Sequence, residues 1–301
     1  MTMSELERRL RAGEFAITSE VTPPLSADPR ALLEKVLPLR GLADAVNVTD
    51  GASARAHLDP LTACGILAAN GVEPVLQLTC RDRNRIALQS MLVGAAALGV
   101  RNFLALKGDD PRAGDQPDAK PVFDLDSNTL IATARSIRDQ GQLPHGRVVG
   151  GNAPFFIGGA DAPIDPAPGW RPDALLRKLE AGAQFIQTQF CMDVEVVRRY
   201  LERLAEFQIP ERLYMLVGLA PLASARSARW IRTHLYGSII PDALIARLDA
   251  AADQKREGRS ICVELMQQLS ALPGVAGVHL MAPLNEGALP EVIQEFRATR
   301  I

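Results

Sequence analysis

The 301-residue sequence is poor in the residues that build metal centres and disulfide frameworks. It has four cysteines and four histidines. The cysteine spacing matches neither a zinc knuckle nor a C-x-x-C redox pair, and the histidines form no H-E-x-x-H motif. We therefore predict no metal site and expect the cysteines to be buried or half-buried thiols. The residues concerned are Cys64, Cys80, Cys191, Cys262, His57, His145, His234 and His279.

The sequence also lacks a long apolar run and an excess of either charge. No segment reaches the roughly 18 apolar residues that a membrane span needs, and residues 1–15 form a charged amphipathic segment instead of a signal peptide. The net charge of −2 argues against a broadly basic nucleic-acid surface. Since 47% of the residues are hydrophobic and 23% are charged, we predict a globular, cytoplasmic protein that binds neither membranes nor nucleic acid.

Missing, too, is the G-x-G-x-x-G turn that a Rossmann-like pair of domains would show. Short apolar or β-branched runs instead alternate with helical patterns, because each parallel strand needs a crossover helix before its neighbour. Eight such units favour one closed barrel over the Rossmann-like alternative. We predict an α/β fold: a single (βα)8 TIM barrel, one domain over residues 1–301, with a helical insertion near strands seven and eight. The predicted strands are Phe15–Val21, Ala45–Val48, Pro74–Thr79, Asn102–Leu106, Arg147–Gly151, Phe185–Gln189, Tyr214–Leu219 and Val278–Met281.

The carboxyl ends of the predicted strands carry an unusually polar set of residues. Active sites of such barrels lie at this face, because the loops that follow the strands converge there. Glu20 stands out, since a charged residue inside an apolar run is costly to bury without a role or a partner. The full set is Glu20, Thr49, Asp50, Gln77, Thr79, Lys107, Gly108, Asp109, Asp110, Asn152, Gln187 and Gln189.

Several of these residues belong to longer motifs whose order along the chain is informative. The motifs are S-E-V-T-P-P at 19–24, V-T-D-G-A at 48–52, Q-L-T-C-R-D-R-N at 77–84, A-L-K-G-D-D-P at 105–111, A-G-A at 181–183, Q-T-Q-F at 187–190 and G-L-A-P-L at 218–222. Together they resemble the methylenetetrahydrofolate reductase family over nearly the whole chain. The resemblance implies a flavoprotein barrel that interconverts 5,10-methylene- and 5-methyltetrahydrofolate in one-carbon metabolism and methionine supply.

The resemblance also implies roles for individual residues. Glu20 would be the general acid, because opening the methylene bridge requires protonation of a pterin nitrogen. Asp109 resembles the family aspartate that lies near flavin and folate, where its negative charge favours a cationic iminium. Gln189 resembles the glutamine whose amide binds the pterin edge, and Gln77 is also expected to contact the substrate.

FAD is the cofactor that the resemblance implies, with NADH or NADPH as co-substrate. Asp50, Gln77 and Asn152 depart from well-known members, which carry an aromatic residue or histidine against the flavin. Flavin mononucleotide, a weakly bound flavin and a flavin-independent reaction therefore stay open at this point. The residues expected at the cofactor are Thr49, Asp50, Lys107, Gly108, Asp109, Phe123, Asn152 and Lys178.

Two other classes of function remain alternatives. One is a folate- or pterin-binding barrel without flavin chemistry, such as a methyltransferase, and the other is a non-catalytic subunit of a redox complex. The arginine-rich run 81–85 fits either a solvated helix start or a polyanion-binding patch. Trp230 and Tyr236 fit a ring-stacking surface, a lid or the core. We expect a small-molecule folate substrate and a homo-oligomer.

Overall fold

Eight parallel strands close into a barrel, in chain order, with the last strand paired to the first. The computed structural model describes residues 3–283 and 285–299. The strands are β1 Ala16–Val21, β2 Ala45–Val48, β3 Pro74–Thr79, β4 Asn102–Leu106, β5 Phe156–Asp161, β6 Phe185–Phe190, β7 Tyr214–Leu219 and β8 Val275–Leu280. This confirms the predicted (βα)8 barrel. The single domain over residues 1–301 stays a prediction, and residues 1, 2, 284, 300 and 301 lie outside the described residues.

A helix follows every strand along the chain, and one further helix precedes β1. Many begin at an Asp, Asn or Ser whose side chain accepts a main-chain N–H of the first turn, as Asp193 does from Glu195 and Val196. The helices are α1 Glu5–Arg11, α2 Pro29–Val36, α3 Pro60–Ala69, α4 Arg85–Ala97, α5 Ser127–Gln140, α6 Asp173–Ala181, α7 Val194–Ala205, α8 Ala225–His234, α9 Asp242–Ala250, α10 Gln254–Ser270 and α11 Leu289–Ala298. The predicted insertion is confirmed, since α8, α9 and α10 all lie between β7 and β8.

The prediction for the fifth strand is wrong. The strand is Phe156–Asp161, whereas the predicted Arg147–Gly151 lies in a mostly exposed loop before it. The true strand lies in a stretch rich in glycine and proline, residues 152–172, and glycine usually weakens a strand interior, so its local sequence does not indicate a strand. Gly158 is nevertheless required there. A Cβ atom at Gly158 would lie 2.3 Å from Cζ of Phe185, so the absent side chain makes room for this ring inside the barrel.

The barrel interior is apolar at the amino ends of the strands and polar at their carboxyl ends. In the apolar layer, the rings of Phe156 and Phe185 stack with centroids 4.9 Å apart, and Leu6 and Leu10 of α1 pack against the same cluster. The layer above it consists of buried polar side chains, namely Thr18, Asn47, Gln77, Gln187 and His279. This polarity is unusual for parallel strands, which tend to be apolar on both faces.

Three further findings concern features expected from the composition. The four cysteines are free and buried, as predicted. Within residues 3–283 and 285–299, no helix is long and apolar enough to cross a membrane. Over the same residues, no group of three or more His, Cys, Asp or Glu side chains could hold a metal ion.

Candidate active site

Glu20 lies near the carboxyl end of β1 with 24% of its side chain exposed. Its Oε2 accepts a hydrogen bond from Nε2 of Gln77 at 2.7 Å. Nε2 of His279 lies 3.5 Å from the same oxygen. The carboxyl group is therefore held in place and still reaches solvent, which suits a group that exchanges a proton with a ligand at the mouth of the barrel.

Behind Glu20, a chain of buried polar groups crosses the barrel. Nδ1 of His279 lies 2.9 Å from Oγ1 of Thr18, which also accepts from Nε2 of Gln187 at 3.0 Å. Gln187 in turn pairs with Asn47 through two amide hydrogen bonds. The sequence interpretation assigned no role to His279, Thr18 or Asn47. Thr18 had a usable signal, because residues two apart on a strand share a face, and Thr18 precedes Glu20 by that step.

Arg81 joins three loops at the mouth. Its side chain is 4% exposed. The guanidinium donates to the carbonyl of Gly51 at 3.2 Å, to the carbonyl of Asp109 at 3.3 Å and to the carboxylate of Asp82 at 2.7 Å. This hydrogen bond to Asp82, with the nearby carboxylates, raises the pKa of Arg81. Arg81 is thus neither a solvated residue nor a free polyanion contact, and it fixes the main chain of Asp109, whose side chain is exposed.

Asp50, which was expected at the cofactor, is occupied by protein groups. Its Oδ2 accepts from the main-chain N–H and the hydroxyl of Thr79 at 2.7 and 3.0 Å. Arg83 donates to both carboxylate oxygens, at 2.7 and 3.1 Å. Asp50 is buried. Because its partners lie at the end of β3 and in the loop after it, this carboxylate links the ends of β2 and β3.

Four residues expected at the cofactor surround the carboxyl ends of β2, β3 and β4. The Thr49 hydroxyl is buried and has no hydrogen-bond partner among the described residues. Gly108 has a φ of +94°, and a Cβ atom there would lie 2.8 Å from Cβ of Arg81. Lys107 Nζ lies 5.9 Å from the ring centroid of Phe123. The buried Thr49 hydroxyl, which has no partner among the described residues, and the close-packed Gly108 are thus the features here that could serve a bound cofactor.

Lys178 and Asn152 do not join this group. Lys178 packs behind β5, where its Cδ lies 3.1 Å from the Cβ position of Gly159. Burial lowers the pKa of Lys178, and the charge of Asp161 opposes that shift. Burial likewise raises the pKa of Asp161, which accepts a hydrogen bond from Tyr200. Asn152 is exposed in the loop that enters the amino end of β5, so its expected place at a strand's carboxyl end is wrong.

Gln189 lies at an irregularity between β6 and β7. It is half-buried, and its own Oε1 accepts the main-chain N–H of Phe190 at 3.0 Å. The segment after α8 is attached here, because Ile239 N–H donates to the Phe190 carbonyl at 2.8 Å. This segment carries Tyr236, which is 94% exposed. Trp230 stacks on His234 with ring centroids 5.0 Å apart.

The chain is similar to known proteins over most of its length. A family model described as methylenetetrahydrofolate reductase matches residues 5–297. A Caenorhabditis elegans protein named "Probable methylenetetrahydrofolate reductase (NADPH)" is 27% identical over 254 residues, which are 80% of this chain and 35% of that protein. A Pectobacterium carotovorum subsp. carotovorum protein named "5,10-methylenetetrahydrofolate reductase" is 25% identical over 300 residues, 93% of this chain and 89% of its own. The chain thus spans about a third of the nematode relative and most of the bacterial one.

A solved structure shares the fold along its whole length. It is an uncharacterized protein from Clostridium thermocellum that binds two copies of 5-methyl-5,6,7,8-tetrahydrofolic acid. The superposition has a TM-score of 0.64 at 13% identity and covers 98% of this chain and 99% of that one. A likeness at this identity shows the fold alone. The family match over residues 5–297 shows that the chain belongs to the methylenetetrahydrofolate reductase family.

Proposed function

We propose that the protein is an NAD(P)H-dependent 5,10-methylenetetrahydrofolate reductase. The observation that carries the proposal is Glu20, a carboxyl group held by Gln77 and His279 and exposed at the mouth of a barrel of this family. The folate ligand of the Clostridium thermocellum protein supports a folate substrate. The proposal includes a cytoplasmic location and a homo-oligomer, which cell fractionation and light scattering would test.

The residues at the mouth can share the chemistry of the reduction. Glu20 protonates the pterin nitrogen as the methylene bridge opens, and the hydride of the nicotinamide ends on the methylene carbon. The exposed carboxylate of Asp109 stabilises the cationic iminium between these events, because its negative charge attracts the positive charge that forms on the ligand. Gln189, half-buried beside the segment after α8, offers its amide to the pterin edge.

The cofactor proposal is a flavin that binds weakly and reversibly. When bound, a flavin supplies hydride transfer between nicotinamide and folate. Thr49, Lys107, Gly108 and Phe123 would hold it, with the Thr49 hydroxyl supplying a hydrogen bond. Lys178 would give no strong anchor to a pyrophosphate, because its charge lies behind β5 beside Asp161. We therefore expect similar affinity for FAD and flavin mononucleotide.

The function is tested by Glu20→Gln, with the exposed Glu34 of α2 replaced by Gln as a matched control. Turnover of methylenetetrahydrofolate with NADH or NADPH should fall by about two to four orders of magnitude in Glu20→Gln, the range for a positioned general acid. Glu34→Gln should keep the wild-type rate. Near-normal turnover in Glu20→Gln would refute the assignment of Glu20 as the general acid. Wild-type protein that binds folate without oxidising nicotinamide, with flavin added, would favour the binding or methyltransferase alternatives.

A further inference from the structure

The buried polar chain behind Glu20 consists of side chains from four strands. Asn47 of β2 and Thr18 of β1 have no exposed surface, and Gln187 of β6 and His279 of β8 are each 3% exposed. Such a buried network is favourable only when its donors and acceptors match, since a buried polar group without a partner loses its hydrogen bond to water and gains none in return. Matching therefore restricts which atom of each residue carries hydrogen.

Donors and acceptors in this network can be assigned starting from the two paired amides of Asn47 and Gln187. Asn47 Nδ2 donates to Gln187 Oε1 at 2.6 Å, and Gln187 Nε2 donates to Asn47 Oδ1 at 3.0 Å. The second hydrogen of Gln187 Nε2 is then directed to Oγ1 of Thr18 at 3.0 Å. Because Thr18 accepts on this side, its own hydrogen is free for another acceptor.

The nearest acceptor for that hydrogen is His279. Nδ1 of His279 lies 2.9 Å from Oγ1 of Thr18, whereas the Val278 carbonyl lies at 3.4 Å. A neutral imidazole has one N–H and one bare nitrogen, so a bare Nδ1 places the proton on Nε2. The nearest carboxylate oxygen to this nitrogen is Oε2 of Glu20, 3.5 Å away.

We propose that Gln187 is a positioning residue that sets the tautomer of His279. With Nε2 already protonated, neutral His279 cannot accept a proton from Glu20. The proton of Glu20 is left for the ligand at the mouth. The opposite tautomer would present a bare Nε2, which would compete with the ligand for that proton. This catalytic consequence rests on the proposed function, whereas the tautomer itself does not.

The tautomer can be read by 15N NMR of protein labelled on its four histidines, with His279→Asn used to assign the signals. We expect a protonated Nε2 and a bare Nδ1 for His279 in the wild type. Gln187→Glu replaces the donor with a carboxylate of similar size. Thr18 should then donate to that carboxylate and accept from His279, so that the ring proton moves to Nδ1 or the ring becomes doubly protonated.

Two more variants keep the test decisive. Thr18→Val removes the hydroxyl link without adding charge and should leave a mixture of tautomers, even if Gln187→Glu does not fold. Ser19→Ala is the matched control, because Ser19 is a buried hydroxyl of the same strand with no hydrogen-bond partner in the described part of the chain. It should leave the wild-type tautomer. An Nδ1–H tautomer in the wild type, or one unchanged in Thr18→Val and Gln187→Glu, would overturn the proposal.

Kinetics separate this proposal from the proposed function. In Thr18→Val, kcat should fall about tenfold with little change in the folate KM, by analogy with the tenfold or larger losses that follow when the partner of a metal-bound histidine is removed. Unchanged kcat together with a changed tautomer would refute the catalytic consequence alone. A wild-type protein without reductase activity would refute the proposed function, and the NMR result would still decide the role of Gln187.

Discussion

Replacing Arg81 with methionine should destabilise the fold by about 1–4 kcal/mol, which we estimate from the hydrogen bonds and the ion pair that the guanidinium makes. Its two hydrogen bonds to the carbonyls of Gly51 and Asp109 are each worth about 0.5–1.5 kcal/mol. The ion pair with Asp82, a side chain that is 44% exposed, adds no more than about 1 kcal/mol because solvent screens it. Methionine retains most of the apolar stem, so the loss measures these polar contacts and not a cavity.

The assay is urea unfolding followed by far-UV circular dichroism, with Arg85→Met as the matched control. Arg85 lies in the same arginine-rich run and pairs with Asp124, but its side chain is 52% exposed. Its replacement should destabilise the protein less than Arg81→Met does, because solvent screens this exposed ion pair. Arg81→Met should also lower kcat for the folate reaction at temperatures where it stays folded, because the Asp109 carbonyl loses its anchor. Equal destabilisation by the two substitutions would refute the view that Arg81 joins the loops.

Two other predictions concern Lys178 and Thr49. Lys178→Met should destabilise the protein by about 1–3 kcal/mol near pH 8 and by less near pH 5. Burial already places the folded-state pKa of Asp161 above its unfolded value, so ionisation of this carboxyl opposes folding as the pH rises through that pKa, and loss of the lysine increases the penalty. Urea unfolding at both pH values checks this, and an equal loss at each would contradict it. Thr49→Val should weaken flavin binding about tenfold from a micromolar Kd, the worth of one hydrogen bond. Titration with FAD and flavin mononucleotide measures this, and much tighter binding of FAD would show a pyrophosphate anchor that we do not expect.

The local sequence predicted most strands well because their ends carry strong signals. Ala45–Val48, Pro74–Thr79, Asn102–Leu106 and Tyr214–Leu219 were predicted with the observed bounds. The first and sixth strands differ by one residue at one end, and β8 begins earlier than expected, at Val275. β5 could not be predicted in this way, since the need for Gly158 arises from Phe185 of another strand. Because the fifth strand was predicted too early, Asn152 was expected at the carboxyl end of a strand, whereas it lies before the amino end of β5.

The site could be predicted only in part, because the local sequence gives the position of a residue along its strand and not its contacts with other strands. Glu20 and Gln77 could be assigned to the mouth because each lies near the carboxyl end of its strand. Their direct contact could not be predicted, since it depends on how far the inward side chains of β1 and β3 reach across β2. Asp50 shows the converse, because its pairing with Arg83 needed the loop after β3 to fold back over β2.

The interior shows a gradation that the two-residue period of a strand makes readable. Inward side chains pass from apolar to polar along Ala16, Thr18 and Glu20 of β1, and along Val75, Gln77 and Thr79 of β3. The apolar end is closed by stacked phenylalanines and by α1, so the polar layer is reached from the carboxyl ends of the strands. A proton that leaves Glu20 therefore leaves toward the mouth. The closed amino end of the barrel therefore contributes to the proposed chemistry, because it prevents Glu20 from losing its proton to water on that side.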